Sequence, residues 1–178
     1  GTVFGISWWT LPAGLEVATH YELMMWGVGH VLQLTCSVAM VSVWILLLHS
    51  ALGRSPLSGP AARILFLAWL VPWLSALLFA GAGAASSGYR EGFTALMRWS
   101  IFPIVSIFLA FCFRLLYQEW RSGRIDRRAL ADPRLSGFLV SAALTLLGFG
   151  LGAAIRGSNT MVPAHYHASI GGVTAAFM

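Results

Sequence analysis

Five long stretches carry no Asp, Glu, Lys or Arg: residues 23–53, 64–89, 99–113, 135–155 and 157–178. About 20 consecutive apolar residues cross the hydrocarbon core of a bilayer, and four of the stretches reach that length unaided. The third is bounded by Arg98 and Arg114, whose long side chains can snorkel to the interface and extend it. Composition agrees: charged residues are 10% of the chain and apolar residues 58%, where a soluble domain holds about 25% charged. The pattern predicts an all-α integral membrane protein with about five transmembrane helices. They fall near 22–49, 62–83, 94–117, 135–156 and 162–178, in a single transmembrane region over 1–178. Residues 1–12 read as the tail of a preceding helix, with Trp8 and Trp9 at the interface where aromatic side chains concentrate. The chain opens on Gly1 without a signal peptide pattern and stops at Met178 within an apolar run. It is therefore expected to be an internal piece of a longer membrane domain.

The charges that remain are informative. Eleven cations against six acids give a net +5, and every cation is Arg. They stand singly between apolar runs instead of forming the dense patch a nucleic-acid surface needs, so no nucleic-acid partner is expected. Arg54, Arg63, Arg114, Arg121, Arg124, Arg127, Arg128 and Arg134 fall in or beside the connections near 50–63 and 114–134; Arg90, Arg98 and Arg156 fall on the other side. Positive charge accumulates on the cytoplasmic face, which makes loops 50–63 and 114–134 cytoplasmic. The segment GRSPLSGP (53–60) reads as a turn. Cys36 and Cys112 lie inside apolar runs and read as small hydrophobic residues, with no disulfide framework.

An ionisable residue inside a membrane is a functional candidate by default. His30 stands about 12 Å into the first helix at the helical rise. His165 and His167 stand just inside the last, and the charge-derived orientation puts all three in the outer part of the bilayer. A His-x-His pair on a helix is turned by about 200°, so one metal cannot take both rings and each serves a different side. Imidazole suits iron, copper and zinc. The small residues Ala164, Ala168, Ser169, Gly171 and Gly172 would let a large flat group approach, and haem on each side fits that pattern. His20 and His49 read as interfacial.

The last helix, VPAHYHASIGGVTAAFM, resembles the tenth helix of subunit I of the haem–copper oxidases. The first His of that motif is the axial ligand of the high-spin, oxygen-reacting haem, and the second is an axial ligand of the low-spin haem. His165 and His167 fall on these positions. The first helix, YELMMWGVGHVLQ, looks like the family's sixth, with Trp26, Gly29 and His30 on its W-x-x-G-H motif, whose His is a copper ligand. The spans would then correspond to the sixth to tenth of twelve helices.

The resemblance implies a respiratory oxidoreductase like cytochrome c oxidase subunit I, in a bacterial or archaeal cytoplasmic membrane. Electrons would pass from cytochrome c or quinol through a low-spin haem on His167 to a gas-binding haem on His165, where O2 or nitric oxide is reduced. It also implies two haems and partner oxidase subunits. The chain departs from the family pattern at several places. Val31, Leu32, Gln33 and Leu34 follow His30 where the family has Pro-Glu-Val-Tyr. Arg90 and Glu91 precede Phe93-Thr94 where the family has a pair of copper-binding His, and no Lys is present. His30 is thus expected to be the remnant of a copper site. Arg90 and Glu91 would be outer-loop groups able to face haem propionates. Two alternatives stand beside this reading: a degenerate relative that binds haem without reducing oxygen, and a membrane transporter lined by histidines.

Overall fold

The computed structural model describes residues 1–157 and 159–178; Ser158 and the side chain of Arg127, one of the arginines assigned to the cytoplasmic face, lie outside the described residues. No β-strand occurs among the described residues. The helices are α1 (Thr2–Thr10), α2 (Val17–Leu52), α3 (Gly59–Ala68), α4 (Leu70–Gly81), α5 (Ser87–Leu96), α6 (Phe102–Arg121), α7 (Arg127–Leu130), α8 (Pro133–Ala154) and α9 (Met161–Phe177). Among the described residues four helical runs are long and apolar enough to cross a membrane: Val17–Leu52, Gly59–Gly81, Ser87–Arg121 and Pro133–Ala154. The fifth expected span is α9. Its 17 residues rise about 26 Å, slightly less than the ~30 Å hydrocarbon core.

Local chemistry explains where the runs break. α2 ends where Gly53 takes φ +66, a conformation a Cβ would oppose, and donates its N–H to the His49 carbonyl at 2.8 Å. Pro72 has no N–H to offer the Ala68 carbonyl, and the run Gly59–Gly81 is interrupted at Trp69. Pro103 would likewise leave the Trp99 carbonyl without its usual partner. The chain widens into a π-helical turn over Met97–Ile101, between α5 and α6, a common way to absorb a misfit in a helix. The expected third span starts earlier than the charge pattern indicates. Ser86 caps α5 by accepting the Tyr89 N–H at 3.1 Å, so Arg90 and Glu91 are helical instead of lying in an outer loop.

The chain divides into two compact units, Gly1–Val38 with Pro60–Val105, and Ala39–Gly59 with Ser106–Met178. In the first, α1 is fastened by two hydrogen bonds. Ala84 N–H donates to Thr10 Oγ1 at 3.0 Å, and Ser7 Oγ lies 2.9 Å from Tyr89 Oη. Leu23, Met24, Trp69, Ala80, Tyr89 and Phe93 are buried. Cys36 is half-buried and Cys112, in the other unit, is buried; both are free thiols.

In the second unit, α8 and α9 run antiparallel and pack backbone to backbone along stripes of small residues. On α8 these are Ser141, Thr145, Gly148 and Gly152; on α9 Ser169, Gly172 and Ala176 follow His165 at the same 4-3-4 spacing. A Cβ on Gly172 would stand 2.7 Å from Thr145 Oγ1 and 3.2 Å from its backbone nitrogen; one on Gly148 would stand 2.7 Å from Ser169 Oγ. Such stripes let membrane helices come close where lipid offers no hydrophobic drive to associate. A third helix is tied in by polar contacts. The buried Trp44 Nε1–H donates to Ser141 Oγ at 2.7 Å, and the Ser141 hydroxyl in turn donates to the Gly172 carbonyl at 2.6 Å.

The same unit brings the turn after α2 to the end of α6. Arg54 Nη1 donates to Glu119 Oε1 at 2.7 Å, and Arg124 reaches both oxygens of that carboxylate. The Glu119 side chain is 0% exposed while both guanidinium side chains are more than half exposed. The turn at 53–60 and the segment beyond α6 therefore share one end of this unit, as the arginine distribution predicts.

Two expectations follow. Gly172→Leu should destabilise the fold by about 1–3 kcal/mol through overpacking against the α8 backbone, seen as a lower unfolding midpoint in detergent. Gly150→Leu, whose Cβ meets nothing within 4 Å, should leave the midpoint unchanged. At the start of α8, Asp132 accepts from the Arg134 backbone N–H at 2.8 Å and from its guanidinium at 2.7 Å. The Arg134 side chain first, and the backbone N–H second, hold the Asp132 carboxyl down to about 2. A depressed carboxylate contributes while it is ionised and is lost as pH falls through its folded value. Amide protection at the first turn of α8 should persist at neutral pH and decline only between about pH 4 and about pH 2.

Candidate histidine sites

His165 belongs to the α9 stripe that faces α8. Its Nδ1 lies 2.7 Å from the Gly148 carbonyl, one helix away. A carbonyl can only accept, so Nδ1 carries the proton, and in the neutral ring Nε2 keeps its lone pair. The ring stands against Gly152, where a Cβ would be 3.0 Å from its Cε1 and Nδ1. Two glycines thus position this imidazole: Gly148 by bringing α8 near, Gly152 by leaving room for the ring. Nε2 of the half-buried His165 has no hydrogen-bond partner among the described residues.

His167, two residues on, is exposed. Its Nδ1–H donates to the Pro163 carbonyl of its own helix at 2.7 Å, which again leaves Nε2 as the free nitrogen. The two rings are held by different partners, one by α8 and one by α9 itself, in keeping with their expected division between two sides. The small residues around them divide differently from the expectation. Gly172 and Ala168 are buried and Gly172 is filled by α8, whereas Ala164 is exposed. Part of the small-residue set therefore serves helix contact instead of a flat ligand.

His30 lies in the first unit. Its Nδ1–H donates to the Trp26 carbonyl at 2.6 Å, and its ring centroid is 4.9 Å from that of Trp26 and 5.8 Å from that of Phe93. One turn below, the Tyr89 hydroxyl is wedged into the hydrogen-bond ladder of α2. It accepts the Gly27 N–H at 2.8 Å and donates to the Leu23 carbonyl at 3.1 Å. Its single proton being committed there, the Ser7 hydroxyl donates to Tyr89. A Cβ on Gly27 would stand 2.6 Å from Tyr89 Oη and 2.8 Å from the Phe93 ring, while Gly29 meets nothing within 4 Å. The glycine this helix needs is Gly27, not the Gly29 of the W-x-x-G-H pattern. Sequence inspection missed Gly27 and Tyr89 because their contact bridges 62 residues of chain.

Among the described residues no group of three His, Cys, Asp or Glu side chains comes together at His30, and its ring neighbours are the aromatic rings of Trp26 and Phe93. Arg90 is nearby in another sense: its guanidinium carbon stands 5.9 Å over the Trp26 ring and its Nη2 is 4.0 Å from Glu22. Glu91 is exposed. Neither presents a metal-ligating histidine in place of the expected pair. His20 stacks edge-on to Trp8 at 6.1 Å, and His49 is exposed near the end of α2.

Two proteins resemble the chain along most of its length. One, from Rickettsia prowazekii (strain Madrid E), is 27% identical over 188 aligned positions, covering 92% of this chain and 36% of that protein. The other, from Aquifex aeolicus (strain VF5), is 24% identical over 174 positions, covering 94% of this chain and 39% of that protein. Both are described as uncharacterized proteins. No family model and no solved structure matches the chain. The chain spans less than two fifths of the length of the curated relatives it matches.

Proposed function

We propose that this chain is part of a membrane haem protein of the haem–copper oxidase subunit I type, with His165 and His167 as axial ligands of two haems. The observation that carries the proposal is the Nδ1 anchoring of His165 on the Gly148 carbonyl. A histidine ligand whose far nitrogen donates to a backbone carbonyl has its tautomer and ring plane fixed and its metal-binding nitrogen made more basic. His167 is anchored in the same sense on Pro163. Nitrogen donors of this type suit haem iron.

In this proposal His165 would hold a haem, which would supply one-electron chemistry and a binding place for O2 or nitric oxide. The rest falls to the chain. Gly152 leaves the space in which the His165 ring stands, and the contact of α8 with α9 keeps that ring from turning. The two-residue separation turns His167 about 200° from His165 around the helix, so the two residues would hold separate groups, to which cytochrome c or quinol would be the electron donor. Partner oxidase subunits would complete such an assembly.

A second form of the proposal, haem without copper-dependent oxygen reduction, is favoured by the surroundings of His30. Leu34 and Leu32 stand where the family carries Tyr and Glu, and aromatic rings flank the imidazole. There His30 would be a packing residue or a hydrogen-bond donor instead of a ligand.

Optical spectra of the full-length protein test the ligand roles. His165→Ala should abolish the carbon monoxide-reactive haem and spare the low-spin bands, and His167→Ala should do the reverse. Wild-type protein purified without any haem bands would sink the proposal in both forms. Metal analysis separates the two forms: iron with copper well below one per chain is expected, and stoichiometric copper would overturn the copper-free form.

A further inference from the structure

We propose that the pocket between the turn after α2 and the inner face of α6 binds the phosphate of an anionic phospholipid headgroup. The pocket measures about 380 Å³ and is lined by Arg54, Ser55, Arg114 and Gln118, with Phe111 and Leu115 among its apolar residues. Binding sites of small molecules begin at roughly 300 Å³. The inference rests on the membrane character of the chain and is independent of the haem proposal.

Charge supplies the first argument. Glu119 is, among the described residues, the one carboxylate paired with the arginines at this end of the unit, and it is already shared by Arg54 and Arg124. Arg114 has neither a hydrogen bond nor an ion pair among the described residues. The pocket therefore carries more positive than negative charge. Position supplies the second. Arg114 is the first charged residue after the uncharged run 99–113, and its side chain is exposed. A cation at that edge of an apolar run is within reach of the headgroup layer and, without an acidic partner, is open to a counter-charge from it. A phosphate diester reaching in from the headgroup layer supplies one. Guanidinium groups bind phosphate oxygens through paired N–H donors, and the Ser55 hydroxyl and Gln118 amide add donors of their own.

The apolar residues argue for lipid over a free ion. Leu115 is buried, Phe111 is half-buried, and both belong to the pocket wall. Carbon surface beside a phosphate-binding rim suits a glycerol backbone and the start of an acyl chain. Basic pockets on the cytoplasmic side of membrane helices are known to take such headgroups, and this end of the unit gathers the arginines that the positive-inside rule assigns to that side.

The test uses the full-length protein, stripped of lipid in detergent and then offered phosphatidylglycerol or phosphatidylcholine, with retained lipid counted by native mass spectrometry. About one phosphatidylglycerol per chain should be retained in preference to phosphatidylcholine. Arg114→Gln should lower that retention about fivefold to tenfold, a size expected for one cation near a headgroup. Arg128→Gln, on the same side but outside the pocket, should not. Gln118→Ala should weaken retention more mildly, and keeps the test open where Arg114→Gln fails to fold. Excess inorganic phosphate is the competing arm: failure to displace the lipid supports a lipid site, whereas displacement assigns the same phosphate chemistry to a free ion and overturns the lipid. Equal retention of the two lipids, or equal loss in the Arg114 and Arg128 variants, would overturn the site altogether.

Discussion

The Gly148 carbonyl is the point on which the α8–α9 pair and its histidine both depend. A helical carbonyl normally serves one N–H four residues on and keeps a second lone pair that neighbouring helices seldom reach. Here His165 reaches it at 2.7 Å because only small side chains stand between the two backbones. Gly172 lies within a Cβ's reach of the Ser141 carbonyl, and Gly152 leaves the imidazole its place. Each small residue is thus a condition of the next contact. Remove the clearance, and the helices separate; separate the helices, and the ring loses its partner and its fixed tautomer. Site geometry and helix packing are one interaction seen from two sides.

Several polar groups elsewhere answer the rule that hydrocarbon leaves them no solvent to bond to, while the buried Trp26 and Trp69 indole nitrogens have no hydrogen-bond partner among the described residues. Tyr89 is fully buried, and its hydroxyl is satisfied three times, by Ser7, Gly27 and Leu23. Trp44, Ser141 and Gly172 form a relay in which every donor finds an acceptor. Glu119 is covered by two guanidiniums whose other faces meet solvent, so the carboxylate is neutralised without being placed in the apolar interior. Breaking one partner of such a set leaves the others buried and unpaired, which costs more than the bond itself is worth. These contacts are therefore what fixes register within each unit.

The helices were legible in the sequence because charge and its absence mark them directly. The run of uncharged residues predicts α2 and α8 to within a few residues at most ends, and the Arg-bearing turn at 53–60 is a turn. Finer features were not legible, each for a physical reason. Charge counting cannot see that Ser86 caps a helix ahead of Arg90, so α5 begins earlier than expected. It cannot see that Pro103 is accommodated by a π turn. The candidate histidines were legible as rare polar residues in apolar runs, but their anchors were not. Gly148 lies 17 residues from His165, and only the 4-3-4 spacing of small residues on α8 signals it. A motif-based eye settles on Gly29, where the backbone is open, and passes over Gly27, where it is not.

The three histidines do not carry equal weight. A carbonyl four residues back is within reach of any helical histidine, so the contacts of His30 with Trp26 and of His167 with Pro163 place few demands on the rest of the chain. The His165 contact demands two glycines at a spacing of four, a matching stripe on the partner helix and an antiparallel approach close enough for backbone contact. Such a combination is costly to assemble for a histidine that only fills space, since a small apolar residue would pack the same gap without a polar ring to satisfy. What the arrangement secures is a fixed ring with Nε2 free, which is what a metal ligand requires. The haem proposal therefore stands or falls with His165, and His30, flanked by Trp26 and Phe93, adds nothing to it beyond its place in the sequence.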